Sequence, residues 1–185
     1  MAVPDLPRHW LSCLALPAAC LVVGSCSLVR PAASASPTPV DVGNATVAGF
    51  FDDPVTLRDG RWEGEPYVIG GASRPTAGVI GDLSVVGDMD GDGANETVAF
   101  LWSATGGSGT RSYIAVFADR GRGVENRSTA LIGDRVKLRD ARIVEDRIEV
   151  DVTEHGPGDA MCCPSVQAMR VWRYDGRDLR EAAHR

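Results

Sequence analysis

Apolar and polar residues alternate strictly over Ile148-Glu149-Val150-Asp151-Val152, the pattern of a strand with one face on a core and one in water. Two other segments are almost unbroken apolar runs, Thr97-Val98-Ala99-Phe100-Leu101-Trp102 and Tyr113-Ile114-Ala115-Val116-Phe117-Ala118. They have the length of strands, and their composition predicts central strands buried on both faces. The Gly/Ser-rich stretch 103–110 between them predicts a flexible hairpin loop. Asp59-Gly60 and Asp175-Gly176, each flanked by strand-like residues, predict type I′ turns. Glu145-Asp146 predicts a further turn, with Arg147 where glycine would sit more easily. No segment carries a sustained helical stripe. The pattern therefore predicts a mainly β fold, a single domain of antiparallel strands and hairpins arranged as a curved sheet or sandwich. It allows at most one or two short helices, one of them near Asn44–Phe51, and an α+β fold is the alternative.

The N-terminus departs from this pattern. A weakly basic start (Arg8, His9, diluted by Asp5) leads into an almost uncharged apolar run from Trp10 to Val23. That run is shorter than the roughly 20 residues needed to span a bilayer, so a cleaved export signal fits better than a permanent anchor. It ends in Val23-Gly24-Ser25-Cys26, which resembles the lipobox of bacterial lipoproteins. There an aliphatic residue and two small ones precede a cysteine that receives a diacylglycerol before cleavage. Cys20 is a poorer candidate because Pro17 occupies its aliphatic position. The expected organisation is a signal peptide over 1–25, a lipidated Cys26 opening a Pro/Ala/Ser-rich tether over 26–43, and a β-rich domain over 44–185. Acyl chains on Cys26 would fix the chain to a membrane of the cell envelope, facing the periplasm or exterior. Ser27 would permit outer-membrane sorting where such a membrane exists.

Charge narrows the possible partners. The net charge is −6 and the chain has a single lysine, Lys137, so there is no electrostatic case for nucleic-acid binding. Two local features carry chemistry. In Asp88-Met89-Asp90-Gly91-Asp92-Gly93-Ala94-Asn95-Glu96, acids stand at loop positions 1, 3, 5 and 9 and glycine at 6. Alternate acids on a tight loop can converge on a hard cation, so Asp88, Asp90, Asp92 and Glu96 are candidate Ca²⁺ ligands. The plainer reading is a hairpin whose carboxylates cap backbone amides. An EF-hand is rejected, since its closing glutamate would fall at Ala99 inside a predicted strand. The strand-loop-strand setting instead resembles the calcium loops of FG-GAP repeats. Those build propellers from several copies, whereas this chain has one copy.

The second feature is Cys162-Cys163, the cysteines left after Cys13 and Cys20 go with the signal and Cys26 takes lipid. In an oxidising compartment they pair with each other or with another molecule. A vicinal disulfide acting as a local clip is the first reading. A redox or Cu(I) site with Met161, Met169 and His155 is the second. A thiolate nucleophile beside His155 and Asp159 is a third and weaker one. A Ser-His-Asp enzyme lacks its elbow, Gly106-Gly107-Ser108-Gly109 lacks the lysine of a phosphate loop, and Trp62, Trp102, Trp172 and Tyr113 suit a core better than a ligand surface.

Several motifs follow in order along the chain: Asp53 to Pro66, Gly71-Ala72-Ser73-Arg74-Pro75-Thr76, Gly87-Asp88-Met89-Asp90-Gly91-Asp92-Gly93, Gly106-Gly107-Ser108-Gly109, Leu131 to Val136, and His155-Gly156-Pro157 through Cys162-Cys163-Pro164. Together they resemble a domain of bacterial envelope lipoproteins, and more distantly the LppP/LprE lipoprotein family. Arg147 and Ala160 depart from that pattern, where a more turn-friendly residue and a proline are usual. The resemblance implies a lipid-anchored or periplasmic protein without enzymatic activity. The expectation is a non-enzymatic envelope module that binds a protein or small ligand, with a redox or copper-handling role for Cys162 and Cys163 as the alternative.

Overall fold

The computed structural model describes residues 37–182. The signal peptide, Cys26 and most of the tether lie outside these residues. No helix occurs among them, so Asn44–Phe51 is not helical, and none can cross a membrane as a helix. β1 (Thr46–Val47) and β2 (Val55–Thr56) form a short hairpin. β3 (Arg61–Glu63), β4 (Thr76–Gly87), β5 (Glu96–Ala104), β6 (Arg111–Asp119) and β7 (Val124–Asp134) form a five-stranded sheet in chain order. β8 (Lys137–Val144), β9 (Arg147–Glu154), β10 (Val166–Tyr174) and β11 (Leu179–Glu181) form a four-stranded sheet, also in chain order. All pairings are antiparallel, as the alternation and hairpin signals predict.

β5 and β6 are the two apolar runs, and both of their faces are buried. Val98 and Phe100 lie opposite Val116 and Ile114, and this face packs on Ile148, Val150, Val152, Trp172 and Tyr174 of the second sheet. The intervening residues, Ala99, Leu101, Ala115 and Phe117, point the other way. They are covered by an N-terminal strap that contributes Ala45, Val47, Phe50, Val55 and Leu57. Phe50 packs on Tyr113 with ring centroids 5.0 Å apart. Val40 and Val42, at the end of the expected tether, already pack on this face, and the Val40 amide donates to Thr97 Oγ1. The strap is extended rather than helical for local reasons. β-branched Thr46 and Val47 favour strand, Gly49 takes φ 90°, and Pro54 keeps Asp53 out of helical geometry.

The turns are mixed in outcome. Asp59 and Gly60 take φ 50° and 79° between bridged Arg58 and Arg61, as a type I′ turn requires. Asp175-Gly176 is not such a turn. Tyr174 pairs with Leu179 across four residues, and Asp175 Oδ1 accepts the Arg177 and Asp178 amides, so side-chain capping replaces the two-residue turn. In the β8–β9 hairpin, Glu145 takes the left-handed conformation and Arg147 is an ordinary strand residue paired with Val144.

Bulges curl the larger sheet. One inserts Ile80 to Leu83 of β4 opposite Phe100. Another skips Ile132 in β7, so Ile132 turns into the core at 4% exposure while Leu131 beside it is 53% exposed.

Leu57 is fully buried although it lies outside both large sheets. Leu57→Ala is therefore expected to lower the unfolding free energy by about 2–5 kcal/mol. Ile69→Ala, on a fully exposed turn, should change it by about 0.5 kcal/mol or less. Urea unfolding followed by tryptophan fluorescence measures both, and a wild-type midpoint for L57A would show that the strap is not part of the cooperative fold.

Candidate functional sites: the acidic loop and the vicinal disulfide

The acidic loop joins β4 to β5, closing where Gly87 pairs with Glu96. Much of its carboxylate capacity caps its own backbone. The Gly91 and Gly93 amides donate to Asp88 Oδ1 and Oδ2 at 2.8 and 3.0 Å. The Asp92 amide donates to Asp90 Oδ1, and the Ala94 amide to Asp92 Oδ1. Both glycines have positive φ, which lets successive amides turn inward. Met89 is buried in the core and anchors the loop from below.

Glu96 is different. It opens β5 at 1% exposure, with Oε2 accepting the Met89 amide at 3.1 Å. Its Oε1 is buried and has no hydrogen-bond partner among the described residues. One oxygen each from Asp88, Asp90 and Glu96 lie within 4.8 Å of one another. Burial, and then the negative charges of Asp90, Asp92 and Asp88, push the Glu96 carboxyl above its ordinary range, against the Met89 amide. Asp92 does not join this cluster. Its Oδ2 pairs with Arg120 at 2.6 Å, and the Ala94 amide, followed by Arg120, holds its carboxyl below the usual range. Of the four acids expected as ligands, the fold thus converges Asp88, Asp90 and Glu96 and turns Asp92 toward a guanidinium. Asp90 fits because Gly176 has no side chain. A Cβ there would stand 3.0 Å from Asp90 Oδ2.

Cys162 and Cys163 form a disulfide in the β9–β10 connection, with Cα atoms 3.8 Å apart. Both are exposed, and Met161 beside them is 66% exposed. Sequence reasoning did not foresee what holds this loop. Asp159 Oδ2 accepts the Gly156 amide at 2.9 Å and the Ser165 amide at 2.8 Å, and Ser165 Oγ donates to the same carboxylate. These bonds span the disulfide like a staple. The Gly156 amide first, then Ser165 and the neighbouring His155, lower the Asp159 carboxyl's pKa. With both sulfurs bonded and Asp159 engaged, no thiolate stands ready for nucleophilic attack in this state. The Asp-x-x-Cys-Cys-Pro-Ser spacing was the available signal.

Trp172 and Tyr113 are core residues as expected, whereas Trp62 and Trp102 are half-exposed. No protein-family model, curated protein or solved structure matches the chain.

Because the folded pKa of Asp159 is depressed, its contribution is present above the unfolded carboxylate pKa and is lost as pH falls through the folded one. Amide exchange at Gly156 and Ser165, corrected for intrinsic rates, is expected to quicken on that acid side. Asp159→Asn should give the faster exchange already at neutral pH. Equal protection in both proteins would remove the staple.

Proposed function

We propose that this chain is a non-enzymatic lipoprotein of the cell envelope, held by lipid on Cys26. Its β domain, carried on a short tether, would bind a partner or ligand outside the cytoplasm. In this reading the 88–96 loop takes Ca²⁺ through Asp88, Asp90 and Glu96, and the ion stiffens the β4–β5 end of the larger sheet. The Cys162–Cys163 disulfide clips the β9–β10 loop. The anchor rests on the Val23-Gly24-Ser25-Cys26 motif and on the resemblance of the ordered motifs to those of envelope lipoproteins.

The observation that carries the calcium assignment is the unpartnered Oε1 of buried Glu96, whose carboxylate clusters with those of Asp88 and Asp90. An unpaired buried anion beside like charges is costly, and a hard divalent cation with oxygen ligands removes that cost. Amide capping accounts for the Asp88 and Asp90 bonds within the loop and for Glu96 Oε2, but leaves Glu96 Oε1 without a partner.

Ca²⁺ is expected to stabilise the protein by about 2.7 kcal/mol at about 100 times Kd, read as a rise in the unfolding midpoint. Glu96→Gln keeps an acceptor for the Met89 amide but removes the charge. It should abolish the response while leaving the chelator-treated protein at least as stable as wild type. Asp92→Asn should retain most of the response. No stabilisation at millimolar Ca²⁺ would eliminate the metal site.

The exposure of the cysteine pair and Met161 favours one second reading, redox or copper handling through Cys162 and Cys163. Intact mass of the membrane-extracted protein tests anchor and cysteines together. The expected mass carries lipid that Cys26→Ser eliminates, and no thiol reacts before reduction. Reactive thiols that take up Cu(I) would favour the second reading.

A further inference from the structure

A cleft of about 770 Å³ lies where the strap meets β3 and the 64–75 loop, lined by residues that neither site uses. Its aromatic wall is Phe51, Trp62 and Tyr67, with the Phe51 and Trp62 rings 5.2 Å apart. Trp62 is half-buried, and Tyr67 is 59% exposed. Two glycines keep these rings in place. A Cβ on Gly64 would fall 2.6 Å from the Trp62 indole. Gly106 has φ 78°, and a Cβ on it would stand 3.1 Å from the Tyr67 ring. Ser73 Oγ donates to the Gly106 carbonyl at 3.1 Å, and the Tyr67 amide donates to the Ser73 carbonyl. The Gly71-to-Thr76 and Gly106-to-Gly109 motifs, unused by the acidic loop or the disulfide, thus support one wall of this cleft.

The polar lining has both signs. Asp52, Asp53, Arg58 and Arg61 line the cleft, and the lining Glu63 is paired with Arg74, which is not among the lining residues. With Glu63 neutralised by Arg74, two carboxylates and two guanidinium groups remain in the lining, so the cleft selects neither an anion nor a cation. Its chemistry fits a neutral ligand with apolar faces for stacking and many hydroxyls for carboxylates and guanidinium groups. We propose that this cleft is a saccharide-binding site, with Trp62 and Tyr67 as stacking platforms and Asp52, Asp53 and Arg58 as hydroxyl partners. A polyproline-type peptide would use the aromatic rings but leave those charged groups without partners.

The test is a titration of the isotope-labelled chain, with chelator present so that the acidic loop does not contribute. The probes are chitotetraose, cellotetraose, maltotetraose and a polyproline peptide. At least one tetrasaccharide is expected to shift the Trp62 indole and Tyr67 resonances saturably, with Kd on the order of 1 mM. Tyr67→Ala and Trp62→Ala should each weaken binding about tenfold or more. Trp62 also packs on Phe51, so exposed Tyr67 provides the variant that leaves folding intact. The proposal is overturned if no tetrasaccharide shifts these resonances, if polyproline alone saturates the site, or if Tyr67→Ala binds as wild type does.

Discussion

The β5–β6 pair is apolar on both faces, and a sheet with two apolar faces requires two covers. That requirement organises the rest of the fold. One cover is the β8–β11 sheet, which closes on Val98, Phe100, Ile114 and Val116. The other is the strap, only a few residues of which are strand, seated on Ala99, Leu101, Ala115 and Phe117. A strap without many ladder hydrogen bonds is held mainly by buried side chains such as Val47 and Leu57. Loss of either cover would expose a contiguous apolar surface, a route to association with other chains.

The same burial sets the chemistry of the acidic loop. Glu96 belongs to the doubly covered strand rather than to the solvated loop, so its carboxyl sits at the edge of the core beside Met89. The other acids approach from the water side, where backbone amides and Arg120 compensate them. A loop with ordinary Asp/Gly turn chemistry thereby gains one anion that its own backbone satisfies at only one of two oxygens. The aromatic cleft also follows from the covers, since it lies where the strap meets β3.

The disulfide loop follows a different rule. It projects from the β9–β10 end with both sulfurs in water, and its shape depends on local closure. Asp159 accepts from three donors, the Gly156 amide and the Ser165 amide and hydroxyl, and so ties together the chain on either side of the disulfide. A covalent clip and a carboxylate staple restrain neighbouring parts of one short segment, so neither alone defines the loop's conformation.

The mainly β, antiparallel character of the fold and the doubly buried position of β5 and β6 were legible in the residues, because period-two alternation and continuous apolar runs report burial directly, whereas the division into two sheets was not. The Asp/Gly loop and the adjacent cysteines were likewise visible as local chemistry, since their members are near in sequence. What covers each face was not, because it depends on contacts between residues far apart in the chain. The Asn44–Phe51 segment was expected to allow a short helix; its local residues favour extended chain, and the surface it lies on, Leu101 and Phe117, came only from the folded sheet. The Asp175-Gly176 dipeptide suggested a two-residue turn, but the Tyr174–Leu179 register imposed a longer one. Asp92 matched the ligand spacing as well as Asp88 or Asp90 did, and only the position of Arg120, twenty-eight residues away, turned it aside. Local sequence determined which groups were present; tertiary packing decided which were buried, paired or left without a partner, because desolvation and ion pairing act through space.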